Sequence, residues 1–233
     1  MTKTVAIHDL QYQANGVNAQ RQYPNEQLVR FMAANWFALP PSERKKLKIL
    51  ELGCGSGGNL WMIAKEGFSA YGLDGSKKAI EIAHTHLEEK WGVKADLRVA
   101  TFDVLPYESA YFDGIVDVLS LLCISLEESR QAFSEIHRTL KPRGRFFRFR
   151  LSDHSVLFLN GGGQYIDAAT VDNVPNEALP LNNNGTMSFW SPALCKQEYE
   201  ALGFTIESIE RIGRTYPGGA YVEFLAVSAS RAD

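Results

Sequence analysis

A run of glycines between two ordered segments is the feature that most constrains the fold. Residues 48–52 are short and apolar, and glycines follow at once within residues 53–58, as when a buried strand enters a tight turn. Residues 59–65 then read as a helix. The relevant glycines are Gly53, Gly55 and Gly57 or Gly58. Glycines at such a turn let the backbone approach a ligand and point free amides at it, so we expect a nucleotide-like ligand there.

Strand-like and helix-like segments alternate along the middle of the chain. The predicted strands are residues 48–52, 69–73, 95–102, 114–124 and 145–151, and the predicted helices between them include 59–65, one capped by Ser76, and 126–140. This alternation is typical of an α/β fold with a mostly parallel sheet. An earlier helix over residues 29–39, ended by Pro40 and Pro41, indicates a helical N-terminal lobe.

The pattern breaks after residue 151. Residues 152–191 contain several turn-forming clusters rich in glycine, asparagine and proline, which predicts a lid or binding loop. A helix over 192–202 and strands over 205–212 and 220–228 follow, and the two strands are expected to form a closing hairpin. We expect one domain of 233 residues, divided into an N-terminal lobe (1–47), a cofactor-binding core (48–151), an insertion (152–191) and a C-terminal helix and hairpin (192–233).

An acidic residue follows the glycine run at the spacing that binds a ribose. Asp74 ends the second predicted strand, where its carboxylate can accept protons from both hydroxyls of an adenosine. Gly53, Gly55 and Gly58 also satisfy the dinucleotide pattern GxGxxG, with Asp74 in the position of its ribose acid. The loop by itself therefore does not distinguish a dinucleotide from another adenosine cofactor.

Further motifs extend this pattern in a fixed order. Glu51 lies two residues before the first glycine, residues 101–104 end the third strand, Phe112 and Asp113 open the fourth, and residues 140–144 precede the fifth. Over residues 48–151 the chain resembles the class I S-adenosylmethionine-dependent methyltransferases. The resemblance implies a Rossmann-like seven-stranded sheet with a final antiparallel strand, and S-adenosylmethionine as cofactor. Arg143, where glycine is commoner, and Asp117 inside a strand depart from the family pattern.

The resemblance also implies roles for individual residues. The acid before the glycines orients the loop and the methionine end of the cofactor, and residues 102–104 contact the adenine. The cofactor-binding candidates are Glu51, Gly53, Cys54, Gly55, Gly57, Asp74, Gly75, Phe102, Asp103 and Val104. The implied reaction is methyl transfer to an oxygen or nitrogen of a small molecule. Two alternatives are an NAD(P)-dependent oxidoreductase and a non-catalytic S-adenosylmethionine-binding protein.

Charged residues near the fifth strand are candidates for catalysis. Asp153 and His154 follow this strand at the carboxyl edge of the sheet, so either could act as general base, although solvation of a loop also explains them. Asp117 and Arg148 lie inside predicted central strands, where an unpaired charge is costly. They are interpreted as a buried ion pair; the alternative is that Asp117, with Arg150, reaches the substrate.

The composition of the chain limits the kinds of partner and ligand that we expect it to bind. The formal net charge is -3 and the pI about 6.0, which argues against nucleic acid as the main partner. Three widely spaced cysteines, Cys54, Cys123 and Cys195, form neither a disulfide pattern nor a zinc motif. No segment reads as a signal peptide or membrane span. We therefore expect a cytoplasmic enzyme that binds no metal and acts on a small-molecule acceptor; the sequence indicates no oligomeric state.

Overall fold

The computed structural model describes residues 3–181 and 184–233. Within them, the chain forms ten strands: β1 (Lys48–Leu52), β2 (Ser69–Asp74), β3 (Asp96–Val99), β4 (Phe112–Val118), β5 (Leu140–Leu151), β6 (Gln164–Asp167), β7 (Thr170–Asp172), β8 (Thr186–Ser188), β9 (Phe204–Thr215) and β10 (Tyr221–Arg231). The predicted turn cluster of residues 179–185 includes Asn182 and Asn183, which lie outside the described residues.

The same residues form eight α-helices: α1 (Lys3–Asn15), α2 (Glu26–Met32), α3 (Pro41–Arg44), α4 (Leu60–Lys65), α5 (Lys77–Thr85), α6 (Leu126–Thr139), α7 (Val156–Asn160) and α8 (Pro192–Ala201). Their ends follow local capping chemistry. The Ser76 hydroxyl accepts a hydrogen bond from Ala79 N at 3.0 Å, which confirms the predicted cap of α5. Ser125 and Glu128 form a capping box at the start of α6. None of the described helices is long and apolar enough to cross a membrane.

Seven strands form the main sheet in the order β3-β2-β1-β4-β5-β10-β9. Strands β1 to β5 pair in parallel, and β10 runs antiparallel to both β5 and β9. The predicted fold class, a seven-stranded sheet with a final antiparallel strand, is confirmed. The strand order reverses between β1 and β4, and in α/β sheets ligands bind beyond the carboxyl ends of the strands at such a point.

Alternation along β5 gives the sheet two different faces. Phe147 and Phe149 face a core that includes residues of α2 and α4. Phe146 belongs to a second core, which includes side chains of α6 and α8, and Arg148 and Arg150 alternate onto this same face. The sheet is therefore covered on both sides, and its site must lie at a strand edge.

Several element boundaries differ from the sequence-based expectations. β4 ends at Val118 rather than 124, because Leu119 adopts φ +64° and a 3₁₀ turn, Leu121–Cys123, follows. The helix predicted over 29–39 begins earlier, as α2, and continues through a π turn, Ala33–Phe37. α1 was not predicted. The insertion is less irregular than expected, since it holds α7 and a three-stranded antiparallel sheet of β6, β7 and β8.

Candidate functional site

The glycine loop after β1 has a backbone that side chains other than glycine rarely adopt. Gly53, Gly55 and Gly57 have φ values of +59°, +52° and +83°. A Cβ atom on Gly53 would lie 2.7 Å from Ser120 Oγ, and one on Gly55 would lie 2.7 Å from Gln20 Oε1. Both the conformation and the space therefore require glycine at positions 53 and 55.

Asp74, at the end of β2, binds the backbone of this loop. Its Oδ2 accepts a hydrogen bond from Gly55 N at 3.0 Å, and its Oδ1 accepts one from Ser76 N at 2.8 Å. Burial raises the pKa of the carboxyl, and the hydrogen bonds from Ser76 and Gly55 act in the opposite direction. The carboxylate thus fixes the glycine loop against the start of α5 while it also lines the neighbouring cavity.

Glu51 is an acid enclosed by the fold, with a side chain only 2% exposed. Its Oε1 accepts a hydrogen bond from Asn59 Nδ2 at 2.5 Å, whereas its Oε2 has no partner. Burial raises the pKa of Glu51 to about 8, against the opposing influence of Asn59 and Arg21. The Tyr12 hydroxyl is also buried without a partner. Buried polar atoms are almost always hydrogen-bonded, so both groups fit a polar ligand that would complete their bonding.

A cavity of about 550 Å³ opens beside these residues, at the carboxyl ends of β1, β2 and β4. Five of the predicted cofactor residues line it: Gly53, Asp74, Gly75, Phe102 and Asp103. The Phe102 ring approaches the loop, with its Cζ 3.6 Å from the Cβ position of Gly53. The Asp103 carboxylate accepts a hydrogen bond from the Thr101 hydroxyl. The structure therefore brings the glycine loop, Asp74 and the segment after β3 to one cavity.

The remaining predicted cofactor residues lie outside the cavity lining. Glu51, Cys54 and Gly57 are buried behind the loop surface, and Gly55 is covered by the side chains of Tyr12 and Gln20, which themselves line the cavity. The Val104 side chain is 66% exposed. Val104 is not brought to the cavity, because the chain turns outward after Asp103.

The two predicted catalytic residues, Asp153 and His154, are also not brought to this cavity. Leu151, the last residue of β5, lines it. The next residue, Ser152, then turns away: its hydroxyl donates to Glu223 Oε1 at 2.7 Å and accepts from His154 N at 3.2 Å. The chain direction set by Ser152 therefore places Asp153 and His154 beyond the cavity wall.

The predicted ion pair between the central strands is confirmed. Arg148 Nε donates to Asp117 Oδ2 at 3.0 Å, and both side chains are 0% exposed. Arg150 is buried on the same face, where it donates to Ser188 O at 3.1 Å and lies 4.0 Å from the Trp190 ring centroid. Arg150 does not line the cavity, so the geometry does not favour its contact with a substrate there.

Helix α1 contributes a wall of the cavity that the sequence pattern does not predict. Side chains from α1 and the turn after it complete the cavity: Thr4, Val5, His8, Gln11, Tyr12, Gln20 and Arg21. Asp9 anchors this wall to the start of α5, because its Oδ1 accepts from the Ser76 hydroxyl at 2.5 Å. Nothing in the sequence marked α1, since its polar and apolar residues do not separate into two faces.

Two stacked tryptophans are linked to the glycine loop through His86. Trp61 and Trp91 stack with ring centroids 3.9 Å apart and an interplanar angle of 7°. Trp91 Nε1 donates to His86 Nε2 at 3.2 Å, and His86 Nδ1 donates to the Ser56 carbonyl of the loop at 2.8 Å. Trp61 Nε1 donates to Gln22 O at 3.1 Å. The indole pair thus links the loop to the segment that follows α1.

Over part of its length, the chain is similar to known methyltransferases. Residues 49–144 match the family model described as a methyltransferase domain. The chain is 29% identical over 129 residues to a tRNA N(3)-methylcytidine methyltransferase of Schizosaccharomyces pombe, covering 49% of this chain and 42% of that one. It is 28% identical over 171 residues to a ubiquinone biosynthesis O-methyltransferase of Pseudomonas aeruginosa, covering 72% of this chain and 68% of that one.

The fold is also similar to that of solved methyltransferase structures. A crystal structure described as an S-adenosylmethionine-dependent methyltransferase of Methanosarcina mazei superposes with a TM-score of 0.68 at 20% identity, covering 83% of this chain and 98% of that one. The chain spans about half the length of several curated relatives, 42%, 60% and 46% for three of them. Residues 49–144 are therefore similar to a methyltransferase domain, and the seven-stranded sheet has the fold of this solved S-adenosylmethionine-dependent methyltransferase.

Proposed function

We propose that this protein transfers a methyl group from S-adenosylmethionine to an oxygen or nitrogen atom of a small molecule. The observation that carries the proposal is the cavity at the carboxyl ends of β1, β2 and β4, which joins a glycine loop, a ribose-type acid and an aromatic side chain. Its walls also include α1 and the end of β5, so two ligands can lie side by side within it.

The residues at the loop side of the cavity suit the parts of the cofactor. In this proposal Asp74 binds the ribose hydroxyls, and Phe102 and Asp103 contact the adenine; the support is that all three line the cavity. The unpartnered Tyr12 hydroxyl, which lines the cavity, suits the polar methionine end, and Glu51 supports the loop from behind through Asn59. When bound there, S-adenosylmethionine supplies an activated methyl group on a sulfonium. The protein's own contribution is to orient both reactants and exclude water.

The other side of the cavity suits a small and largely apolar acceptor. Its apolar wall is formed by Val118, Leu119, Leu122, Ile124, Leu151, Leu181 and Met187. The relatives include enzymes named for tRNA methylation and for ubiquinone biosynthesis. An overall charge of -3 gives no excess of cations to neutralise a phosphate backbone, and the apolar wall favours the small molecule.

Calorimetry with S-adenosylhomocysteine and, separately, with NADH tests the cofactor. We expect binding of S-adenosylhomocysteine and none of NADH. NADH binding alone would support an oxidoreductase and overturn the proposal, and binding of neither would also contradict it.

Methyl transfer is then followed with cofactor labelled in the methyl group. Phenols, amines and bulk tRNA are offered as separate acceptors. Transfer to a small molecule supports the proposal, and transfer to tRNA alone overturns the acceptor class. Cofactor binding without transfer to any of the three would favour a non-catalytic binding protein.

A further inference from the structure

A histidine of α1 lies in the cavity beside a cysteine of the opposite wall. His8, Gln11 and Cys123 all line the cavity. His8 Nε2 is 3.7 Å from Cys123 Sγ, within hydrogen-bond distance for sulfur. His8 Nδ1 is 3.2 Å from Gln11 Oε1, one helical turn further along. The imidazole therefore has one nitrogen bound to its own helix and the other directed across the cavity.

These two contacts determine which nitrogen of His8 carries the proton. An amide oxygen only accepts hydrogen bonds, so with Gln11 Oε1 turned towards the ring, as in the structure, His8 Nδ1 is the protonated donor. Nε2 then holds a lone pair, and the Cys123 thiol donates to it. A neutral imidazole held in one tautomer by a second side chain is the arrangement that a general base requires.

Cys123 can donate a hydrogen bond to His8 Nε2 without itself attacking the methyl group. Burial, reinforced by the charges of Asp117 and Asp74, raises the pKa of the Cys123 thiol to about 12. The thiol therefore keeps its proton near neutral pH, and a protonated thiol is a poor nucleophile. An acceptor hydroxyl can replace the thiol as the donor to His8 Nε2.

We propose that His8 is the general base of the methyl transfer and that the acceptor is a phenol. This proposal rests on the proposed function. Proton transfer to an imidazole is efficient only from an acid whose pKa lies within a few units of neutrality. A phenolic hydroxyl, with a pKa of about 10, meets this condition, and its aromatic body suits the apolar wall formed by Leu122, Ile124 and Met187.

In the proposed step, His8 takes the phenolic proton and the phenolic oxygen takes the methyl group. The phenolic proton moves to His8 Nε2, which becomes part of an imidazolium. The phenolic oxygen uses a lone pair to form the new bond to the methyl carbon, and the bond between that carbon and the sulfonium sulfur breaks with its electron pair remaining on sulfur. The products are the methyl ether, S-adenosylhomocysteine and an imidazolium that returns its proton to water.

Acidic groups on several elements lie around His8. Asp9 follows it on α1, Asp74 faces it from β2, and Glu128 lines the cavity from α6. Cys123 approaches from the 3₁₀ turn after β4. Arg21 lies on the Glu51 side of the cavity, and its charge acts on that acid.

The first test uses 4-nitrophenol, whose ionised form absorbs visible light, on protein saturated with S-adenosylhomocysteine. We expect the wild-type protein to bind the probe as phenolate at a pH where the free probe is mostly neutral. His8→Gln should bind S-adenosylhomocysteine normally but lose the phenolate signal, and the exposed His84→Gln variant should behave as wild type. Failure of wild type to bind S-adenosylhomocysteine would contradict the proposed function. Normal binding of it without a phenolate signal would overturn only the present inference.

Kinetics with the phenol that the acceptor screen identifies provide the second test. His8→Gln should lower kcat on the order of 100-fold with little change in KM, and should remove the fall in rate at acidic pH. Gln11→Leu, which frees the tautomer, should cause a smaller loss of kcat. A kcat of His8→Gln within about threefold of wild type, or an equal loss in His154→Gln, would overturn the assignment. If His8→Gln does not fold, the Gln11→Leu variant and the nitrogen chemical shifts of His8 in wild type decide, since the proposal requires Nδ1 to carry the proton.

Discussion

Glu51 and Asp74 lie on either side of the glycine loop, and the protein holds their two carboxyls differently. Asp74 accepts two backbone hydrogen bonds at 2.8 and 3.0 Å. Glu51 has one partner, Asn59, and an unpartnered oxygen inside the fold. We therefore expect substitution of Asp74 to change ligand affinity. Substitution of Glu51 should instead change how the stability of the fold depends on pH.

Asp74→Ala should weaken binding of S-adenosylhomocysteine by about 10- to 100-fold, as expected for the loss of one or two charge-assisted hydrogen bonds. Asp113→Asn is the matched control, because Asp113 binds Lys48 N and Lys141 Nζ at the opposite end of β1. Calorimetry of both variants gives the comparison. Equal affinities of wild type and Asp74→Ala would remove Asp74 from the cofactor site.

Glu51→Gln should change how stability depends on pH. The folded pKa of about 8 lies above the ordinary value of 4.5, so the protonated carboxyl stabilises the fold below pH 4.5. This contribution is lost as the pH rises through 8. In urea titrations of cofactor-free protein, Glu51→Gln should therefore gain stability over wild type between about pH 5 and about pH 9, by a few kcal/mol. Parallel pH dependence of the two proteins would contradict this.

At the scale of elements, a strand or helix could be predicted where its burial leaves a pattern in its own residues. It could not be predicted where its position depends on contacts with distant segments. β1 and β2 are apolar runs with both faces covered, so their positions could be predicted to within a residue. The end of β4 could not, because Leu119 takes a left-handed conformation, with its N–H bound to Phe149 O of β5, that the local sequence does not mark. β7 and β8 are three residues each and are stable only when paired.

The candidate site divides in the same way. Gly53, Asp74 and Phe102 belong to motifs with a fixed order along the chain, so the cofactor side of the cavity could be predicted from sequence. His8 and Tyr12 lie on a helix without an apolar stripe, and their approach to the cavity results from the docking of Asp9 on Ser76. Such long-range contacts leave no local pattern to read.

Alanine substitutions at Gly53, in the glycine loop, and at Gly67, just after α4, separate the cost of backbone strain from that of steric crowding. Gly53→Ala should destabilise the fold and also weaken S-adenosylhomocysteine binding, because its φ is +59° and Ser120 Oγ occupies the space. Gly67→Ala, at φ +89° with nothing within 4 Å, should cost only the strain, about 1–2 kcal/mol, and leave binding unchanged. Denaturant titration and calorimetry measure the two effects. Normal binding by Gly53→Ala would show that the loop does not need its close contact with Ser120.

Across the whole molecule, the buried charges join three layers. Asp117 lies on β4 and Arg148 on β5, and Arg148 is 4.7 Å from the ring centroid of Trp190, just before α8. Asp117 also accepts hydrogen bonds from Ser120 and Leu121. The ion pair thus connects the centre of the sheet to both the 3₁₀ turn under the cavity and the packing of α8.

Asp117→Asn should destabilise the protein by about 3–5 kcal/mol, because it leaves the buried Arg148 without its counter-charge. Glu127→Gln, which breaks an exposed pair with Arg130, should cost at most about 1 kcal/mol. Thermal or chemical denaturation of both variants tests the difference. Similar stability of the two would mean that the charge of Arg148 is balanced by other groups.

The stacked indoles of Trp61 and Trp91 give the molecule an internal optical reporter. Their rings are close enough to share excitation, and hydrogen bonds connect them to Ser56 of the glycine loop and to Gln22 after α1. Rearrangement of the loop or of the segment after α1 is expected to alter their environment, whereas Trp36 packs on Phe31 and Phe68 and Trp190 lies in the opposite core. Intrinsic fluorescence should therefore follow entry of a ligand in real time, without a label.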